Sequence, residues 1–214
     1  MSAVRIKLCS FFLTLVMFIL SSGALATPVT ENGLRLATQI DNLHVEQHWP
    51  AGVHVNWESG EPDGRHVGTS GKHTHCSAFV ASAAKSLGIY ILRPPEHSPI
   101  LLANAQFDWL AAGETSTQGW RLAESGIEAQ ALANQGNLVV AVYKNRKNDK
   151  PGHIAIVRPD TKSDAEIMQD GPQITQAGLK NFQSTSLKVG FAGHPGAFIN
   201  NKVRYYAHQV SFAP

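Results

Sequence analysis

An α+β fold with a small antiparallel sheet is predicted by three features of the sequence. Stretches with helical spacing come first, apolar β-branched runs cluster late, and neither βαβ alternation nor a phosphate-binding glycine loop is present. The length of 214 residues suits one domain. A formal net charge of only +2 argues against a large basic face for nucleic acid.

The N-terminus has the pattern of an export signal. Two basic residues precede an apolar run over residues 8–20, and Ala24-Leu25-Ala26 provides the small residues of a signal-peptidase site. The run is shorter than the roughly 20 apolar residues that span a bilayer, although an uncleaved anchor is the alternative. We predict that residues 1–26 are removed and that residues 27–214 form one periplasmic or secreted domain without membrane attachment.

Helical periodicity and capping residues predict four helices in the remaining chain. They cover residues 31–48, 77–87, 98–109 and 126–133. A glycine-rich loop over residues 57–72 joins the first two.

Four strands are predicted from apolar and alternating patterns. They cover residues 138–142, 153–157, 173–177 and 202–212. If the second and third form a hairpin that pairs residue 153 with residue 176, its turn is centred between Asp164 and Ala165.

Cys76 begins the second predicted helix and is the only cysteine outside the signal segment. The free N–H groups and the positive dipole of a helix N-terminus favour a thiolate. An unpaired cysteine in an exported protein is a reactive thiol, part of an intermolecular bridge, or a small buried hydrophobe. A nucleophile also needs a base, and His153 opens a predicted strand directly after Pro151-Gly152.

Three motifs in this order resemble those of the NlpC/P60-type papain-like cysteine peptidases, which are related to the CHAP amidases. His75-Cys76-Ser77-Ala78 is similar to the family's Asp-Cys-Ser-Gly helix start. Gly136-Asn137-Leu138-Val139 resembles its Gly-Asp-Leu-Val strand. The sequence Gly-His-Ile-Ala-Ile-Val at residues 152–157 resembles its Gly-His-Val-Gly strand. Gln176, within Ile174-Thr175-Gln176-Ala177, fits the family's third polar residue.

The resemblance implies a papain-like fold in which the nucleophile-bearing helix packs on the sheet. It also implies hydrolysis of an amide bond in peptidoglycan, as a stem-peptide endopeptidase or an amidase, with peptidoglycan peptides as substrate and neither a cofactor nor a metal. Cys76 is then the nucleophile, His153 the base, and Gln176 the residue that orients the imidazole. Asp170 competes for that last role. The N–H of Cys76 is the expected oxyanion donor, with His75 as a second. Whether an inhibitor or immunity protein exists is left open.

Two aromatic residues are candidates to line a substrate groove together with the 57–72 loop. They are Trp49 and Trp57. The alternative is that both are core aromatics and that the loop is an ordinary surface loop.

A second hypothesis is an exported metal-binding protein, because imidazole and thiolate ligands suit zinc or copper. Its candidate ligands are His66, His73, His75 and Cys76. No second closely spaced pair completes a standard zinc site in the sequence. A third hypothesis is a non-catalytic or acyl-transferring member of the same fold.

Overall fold

A computed structural model describes residues 26–68, 73–147, 149–194 and 196–212 and has a mixed α+β fold. The strands are β1 (Trp120–Ala123), β2 (Leu138–Tyr143), β3 (His153–Val157), β4 (Gln173–Gln176), β5 (Phe182–Ser186) and β6 (Arg204–His208). The α-helices are α1 (Glu31–Asp41), α2 (Cys76–Ser86), α3 (Leu102–Ala111), α4 (Gly126–Asn134), α5 (Asp164–Asp170) and α6 (Leu187–Gly190). Of the predicted signal segment, only Ala26 lies within the described residues.

The six strands form one sheet in the order β1-β6-β2-β3-β4-β5, and every neighbouring pair is antiparallel. At the centre, Ala141 of β2 pairs with Ala155 of β3 on one side and with Tyr205 of β6 on the other. The prediction of an α+β fold with an antiparallel sheet is therefore confirmed. No helix among the described residues is long and apolar enough to cross a membrane.

Helices cover both faces of the central strands. On one face, Val140, Ile154 and Ile156 pack into a core shared with α1, α2 and α3. On the other, Val139, Ala155 and Val157 join a core shared with α4 and α6. All of these sheet residues are fully buried. Burial on both faces explains why the two strands are uninterrupted apolar runs in the sequence rather than alternating ones.

Helix α2 is buried along most of its length and packs against β3. Small side chains make this close approach possible, and Phe79 fills the space beneath the first turn with no exposed surface. Gly88 has a φ of 71°, as expected for the residue that follows a helix. The helix places its first residue, Cys76, beside the start of β3.

Two helix boundaries differ from the predictions because single residues adopt left-handed backbone conformations. Helix α1 ends at Asp41 instead of residue 48, since His44 has a φ of 49° and begins a series of tight turns. Helix α3 begins at Leu102 instead of Ser98, because Leu101 has a φ of 55°. The Ser98 hydroxyl accepts a hydrogen bond from the N–H of Ile100, so it closes a local turn instead of capping the helix.

The connection between β3 and β4 is not the predicted simple hairpin. It contains α5, whose start is fixed by a capping box between Ser163 and Glu166. Ile156 pairs with Thr175 and Val157 with Ile174, so the register is shifted by two residues from the one that pairs 153 with 176. Strands β1 and β5 and helices α5 and α6 were not predicted, because each is short and only partly apolar.

Candidate functional site

The sulfur of Cys76 lies where the start of α2 meets the start of β3. Cys76 is the first residue of α2, so its N–H and that of Ser77 have no partner within the helix. The backbone N–H groups of Ile154, Ser77 and Cys76 itself lie close enough to Sγ to favour its anionic form. Ile154 directly follows His153 in β3, so the thiol lies beside the backbone at the start of that strand.

Burial, however, raises the pKa of the Cys76 thiol, and the nearby backbone N–H groups only partly oppose this effect. The residue is 5% exposed. The expectation that the helix N-terminus favours a thiolate is therefore wrong for this conformation, because the desolvation of a buried anion outweighs the N–H groups aimed at it. The thiol is protonated at neutral pH.

His153 and Gln176 are hydrogen-bonded through Nε2 and Oε1 at 2.8 Å. The other end of the Gln176 amide lies 3.2 Å from the carbonyl oxygen of Lys180, which can only accept a hydrogen bond. The NH₂ group therefore faces Lys180, and Oε1 faces the imidazole. An oxygen acceptor requires a proton on Nε2 of His153. This tautomer leaves Nδ1 with the free lone pair that a general base needs.

The strand register explains how residues 153 and 176 meet without pairing directly. The observed pairs of β3 and β4, continued to residue 153, place Gly178 opposite His153. Gln176 is then the diagonal neighbour on the same face of the sheet, within reach of a long side chain. A Cβ added to Gly178 would be 3.7 Å from the Cε1 of His153, in agreement with this placement.

Aromatic rings enclose His153. The ring of Phe191 meets it edge-on with centroids 4.7 Å apart, and the ring of His194 stacks on it at 5.4 Å with an interplanar angle of 21°. Burial lowers the pKa of His153, while its hydrogen bond to the Gln176 oxygen partly opposes that shift. The imidazole is thus neutral at pH 7.

Asp170 and His75 both have other hydrogen-bond or ion-pair partners. Asp170 ends α5 and forms an ion pair with Lys188 at 3.0 Å. The Nε2 of His153 donates its hydrogen bond to Gln176. Gln176 therefore fits the orienting position, and Asp170 does not share it. The Nε2 of His75 lies 2.9 Å from the carbonyl oxygen of Val53, to which it donates. Its ring supports the neighbouring segment, and an oxyanion role for His75 stays a prediction.

The contact of Trp57 lies near the C-terminal end of α2. The ring of Trp57 packs under the ammonium group of Lys85, whose Nζ is 5.4 Å from the ring centroid. Lys85 is in the last turn of α2, so about 13 Å of helix separates this contact from Cys76. This contact does not place Trp57 beside Cys76, and a groove role for Trp57 stays a prediction. Trp49 is 1% exposed and belongs to the core, as in the alternative interpretation.

The side chains proposed as metal ligands are not clustered in the part of the chain that the structure describes. There, no three His, Cys, Asp or Glu side chains are close enough to hold a metal ion. The Nε2 of His73 lies 2.7 Å from the carbonyl oxygen of Gly68, and that of His75 faces Val53. His66 is exposed. The four candidate ligands thus do not form a common site.

Sequence reasoning missed the residues that surround the imidazole and the amide. Phe191 and His194 lie about 40 positions from His153, and Gly190 packs against Gln176, where an added Cβ would be 2.7 Å from Oε1. None of them belongs to a periodic segment. The one available signal is the clustering of glycines near the ends of β4 and α6, which is typical of close backbone approach.

No protein-family model matches the chain, and no curated protein matches it.

Proposed function

We propose that the protein is an exported cysteine hydrolase that cleaves an amide bond in bacterial peptidoglycan, with Cys76 as nucleophile, His153 as base and Gln176 as the orienting residue. The observation that carries the proposal is the hydrogen bond between Nε2 of His153 and Oε1 of Gln176. It fixes the tautomer whose Nδ1 can accept a proton. The sulfur of Cys76 contacts the backbone of the residue next to that histidine.

In the acylation step, His153 removes the thiol proton as Sγ attacks the carbonyl carbon of the substrate amide. The tetrahedral intermediate collapses when the C–N bond breaks, and the imidazolium gives its proton to the departing amine. The product is a thioester on Cys76. The thiol and the imidazole are both neutral before the reaction, so the positive charge on His153 develops only during the attack. The Gln176 carbonyl oxygen, which accepts from Nε2, is well placed to stabilise this imidazolium.

In the deacylation step, His153 takes a proton from a water molecule that attacks the thioester carbonyl. The C–S bond then breaks, the free carboxylic acid leaves, and the proton returns to Sγ. The N–H groups of Cys76 and Ser77 lie at the sulfur and have no partner within the helix. They support an oxyanion site for both tetrahedral intermediates.

The choice of peptidoglycan rests on two features of the sequence. The ordered motifs around residues 76, 138 and 153 resemble those of the NlpC/P60 peptidases, and the N-terminus resembles an export signal. An exported enzyme would meet peptidoglycan outside the cytoplasm. The proposal includes both an endopeptidase that cuts within the stem peptide and an amidase that separates stem from sugar.

The test is digestion of purified muropeptides followed by mass measurement of the products. A new amino terminus within the stem peptide identifies an endopeptidase, and separation of stem from sugar identifies an amidase. Cys76→Ala should abolish product formation, since losing the nucleophile of such a site costs several orders of magnitude in rate. Ser77→Ala is the matched control, because it trims the neighbouring side chain and keeps the same backbone N–H. If Cys76→Ala folds and cleaves as fast as the wild type, the proposed nucleophile is wrong.

A further inference from the structure

The amide of Gln176 is held by a turn as well as by the histidine. Its Nε2 lies 3.2 Å from the carbonyl oxygen of Lys180, within the turn formed by residues 177–181 between β4 and β5. A second residue of this turn, Gly178, lies against both the Gln176 amide and the His153 ring. The orientation of the amide, and through it the tautomer of His153, depends on where this turn sits.

Asn181 is the residue that fixes the turn. Its Oδ1 accepts a hydrogen bond from the N–H of Gly178 at 2.9 Å, which closes the turn on itself. Its Nδ2 lies 2.8 Å from the carbonyl oxygens of both Val45 and His48 and 3.2 Å from that of Trp49. One side chain therefore ties the turn to a segment more than 130 positions earlier in the chain.

The segment at residues 45–49 is itself anchored on the nucleophile helix. The ring of Trp49 is buried and meets the ring of Phe79 in α2 with centroids 5.2 Å apart. The backbone N–H and the indole N–H of Trp49 donate to the carbonyl oxygens of Gly60 and Trp57, at 2.7 and 3.1 Å. Phe79 lies one helical turn after Cys76. Residues 45–49 thus contact both the helix with the thiol and the turn that holds Gln176.

We propose that Asn181 is a positioning residue of this site: by tying the 177–181 turn to residues 45–49, it holds the Gln176 amide and the His153 ring at a fixed place relative to the nucleophile helix. The inference rests on the proposed function in that it takes Cys76, His153 and Gln176 as the reacting group. It assigns Asn181 no contact with the substrate. Removing its amide should change the chemistry at Cys76 more than it changes substrate binding.

The experiment compares Asn181→Ala and Asn181→Asp with the wild type in the purified protein. Aspartate keeps the size and the acceptor for Gly178 but has no N–H to donate to the three carbonyl oxygens. Asn137→Ala is the matched control, because the Asn137 amide also donates to a backbone carbonyl, that of Leu132, in a part of the fold remote from Cys76. Thermal unfolding identifies any variant that does not fold.

Three readouts are recorded for each folded variant: muropeptide hydrolysis, alkylation of Cys76 by iodoacetamide as a function of pH, and the ¹⁵N chemical shifts of the His153 ring. We expect both Asn181 variants to lower kcat and the alkylation rate at pH 7 about 10- to 100-fold with little change in KM, since small misplacements of reacting groups have effects of this size. The ring shifts should move away from the Nε2–H tautomer. Asn137→Ala should match the wild type in all three readouts.

The readouts separate this inference from the proposed substrate. Alkylation and ring shifts require no peptidoglycan. If the alkylation of the wild type depends on His153 but the protein leaves muropeptides intact, the proposed substrate is wrong. If the Asn181 variants also change that alkylation, the positioning role is supported. Wild-type alkylation profiles and ring shifts in a folded Asn181 variant overturn the positioning role, whatever the muropeptides show. If neither Asn181 variant folds, the same ring shifts and alkylation rates are measured in Gly178→Ala. That variant shifts the same turn, and wild-type values in it overturn the inference.

Discussion

His153 donates a hydrogen bond from Nε2 to Oε1 of Gln176 at 2.8 Å, between two side chains that are 5% and 3% exposed. A buried imidazole with one nitrogen committed to an amide oxygen has its other nitrogen free as an acceptor. The structure therefore leaves Nδ1 as the nitrogen of His153 that can accept a proton. The predictions below test what this relationship contributes and what maintains it.

Replacing Gln176 should reduce catalysis, whereas replacing Asp170 should not. Gln176→Ala removes the acceptor for Nε2–H and lets the ring change tautomer, so we expect kcat at saturating substrate to fall about 100-fold, within the usual contribution of a general base. Asp170→Ala breaks only the exposed ion pair with Lys188 and should leave kcat near the wild-type value. Steady-state kinetics of the two variants decide the point. The reverse ranking would assign the orienting role to Asp170, and two unaffected variants would indicate a Cys–His dyad.

A methyl group at residue 190 should displace Gln176 while the fold persists. An added Cβ would lie 2.7 Å from Oε1 of Gln176 and 2.5 Å from Cδ1 of Ile174, both ends of side chains that can move. We expect Gly190→Ala to lower kcat about tenfold or more with a small loss of thermal stability. Gly193→Ala is the matched control, because no atom lies within 4 Å of its added Cβ. Equal kcat in the two variants would contradict the dependence of catalysis on the Gln176 position.

Acidification should destabilise the wild type more than a variant without the site histidine. Burial lowers the pKa of His153, so the native state stays neutral while the unfolded chain takes up a proton near pH 6.5. The unfolded state then binds more protons, and the free energy of unfolding falls as the pH decreases below that value. In His153→Gln this contribution is absent. Burial also lowers the pKa of His75, but that group is common to both proteins.

Urea unfolding of both proteins at pH 7.5 and pH 5 measures this difference. The loss of unfolding free energy between the two pH values should be larger in the wild type than in His153→Gln. An equal or smaller loss in the wild type would mean that His153 is protonated in the native state. NMR titration of the wild-type ring provides an independent check and should give a pKa below that of a histidine in a short peptide.

Chelation should not affect hydrolysis, whereas alkylation should abolish it. EDTA should leave the rate unchanged, because the candidate ligands within the described residues are not grouped around a common point. Iodoacetamide should abolish the rate by alkylating Cys76. His73→Ala should retain about wild-type turnover, since the ring of His73 only bonds the carbonyl oxygen of Gly68. Loss of activity with EDTA that zinc restores would overturn the cysteine mechanism in favour of a metal site.

Local sequence patterns were sufficient for the parts of the fold that local interactions determine. The uninterrupted apolar runs predicted β2 and β3, the helical spacing of apolar residues predicted α2, and the apolar context of Gln176 placed it on a strand. Each of these depends on periodicity, capping or turn chemistry within a few residues. Together with the resemblance of the three motifs to the NlpC/P60 peptidases, they selected Cys76, His153 and Gln176 as one candidate group.

Tertiary structure decided the features that depend on distant contacts and on burial. The register of β3 and β4 differs from the hairpin estimate, and the connection between the two strands contains α5. The neutral state of Cys76 and His153 follows from desolvation, which outweighs the helix N-terminus that the sequence does reveal. The tie from Asn181 to residues 45–49 joins segments far apart in the chain. Sequence periodicity records only which face of an element is buried, so partners across such separations are determined by the folded packing itself.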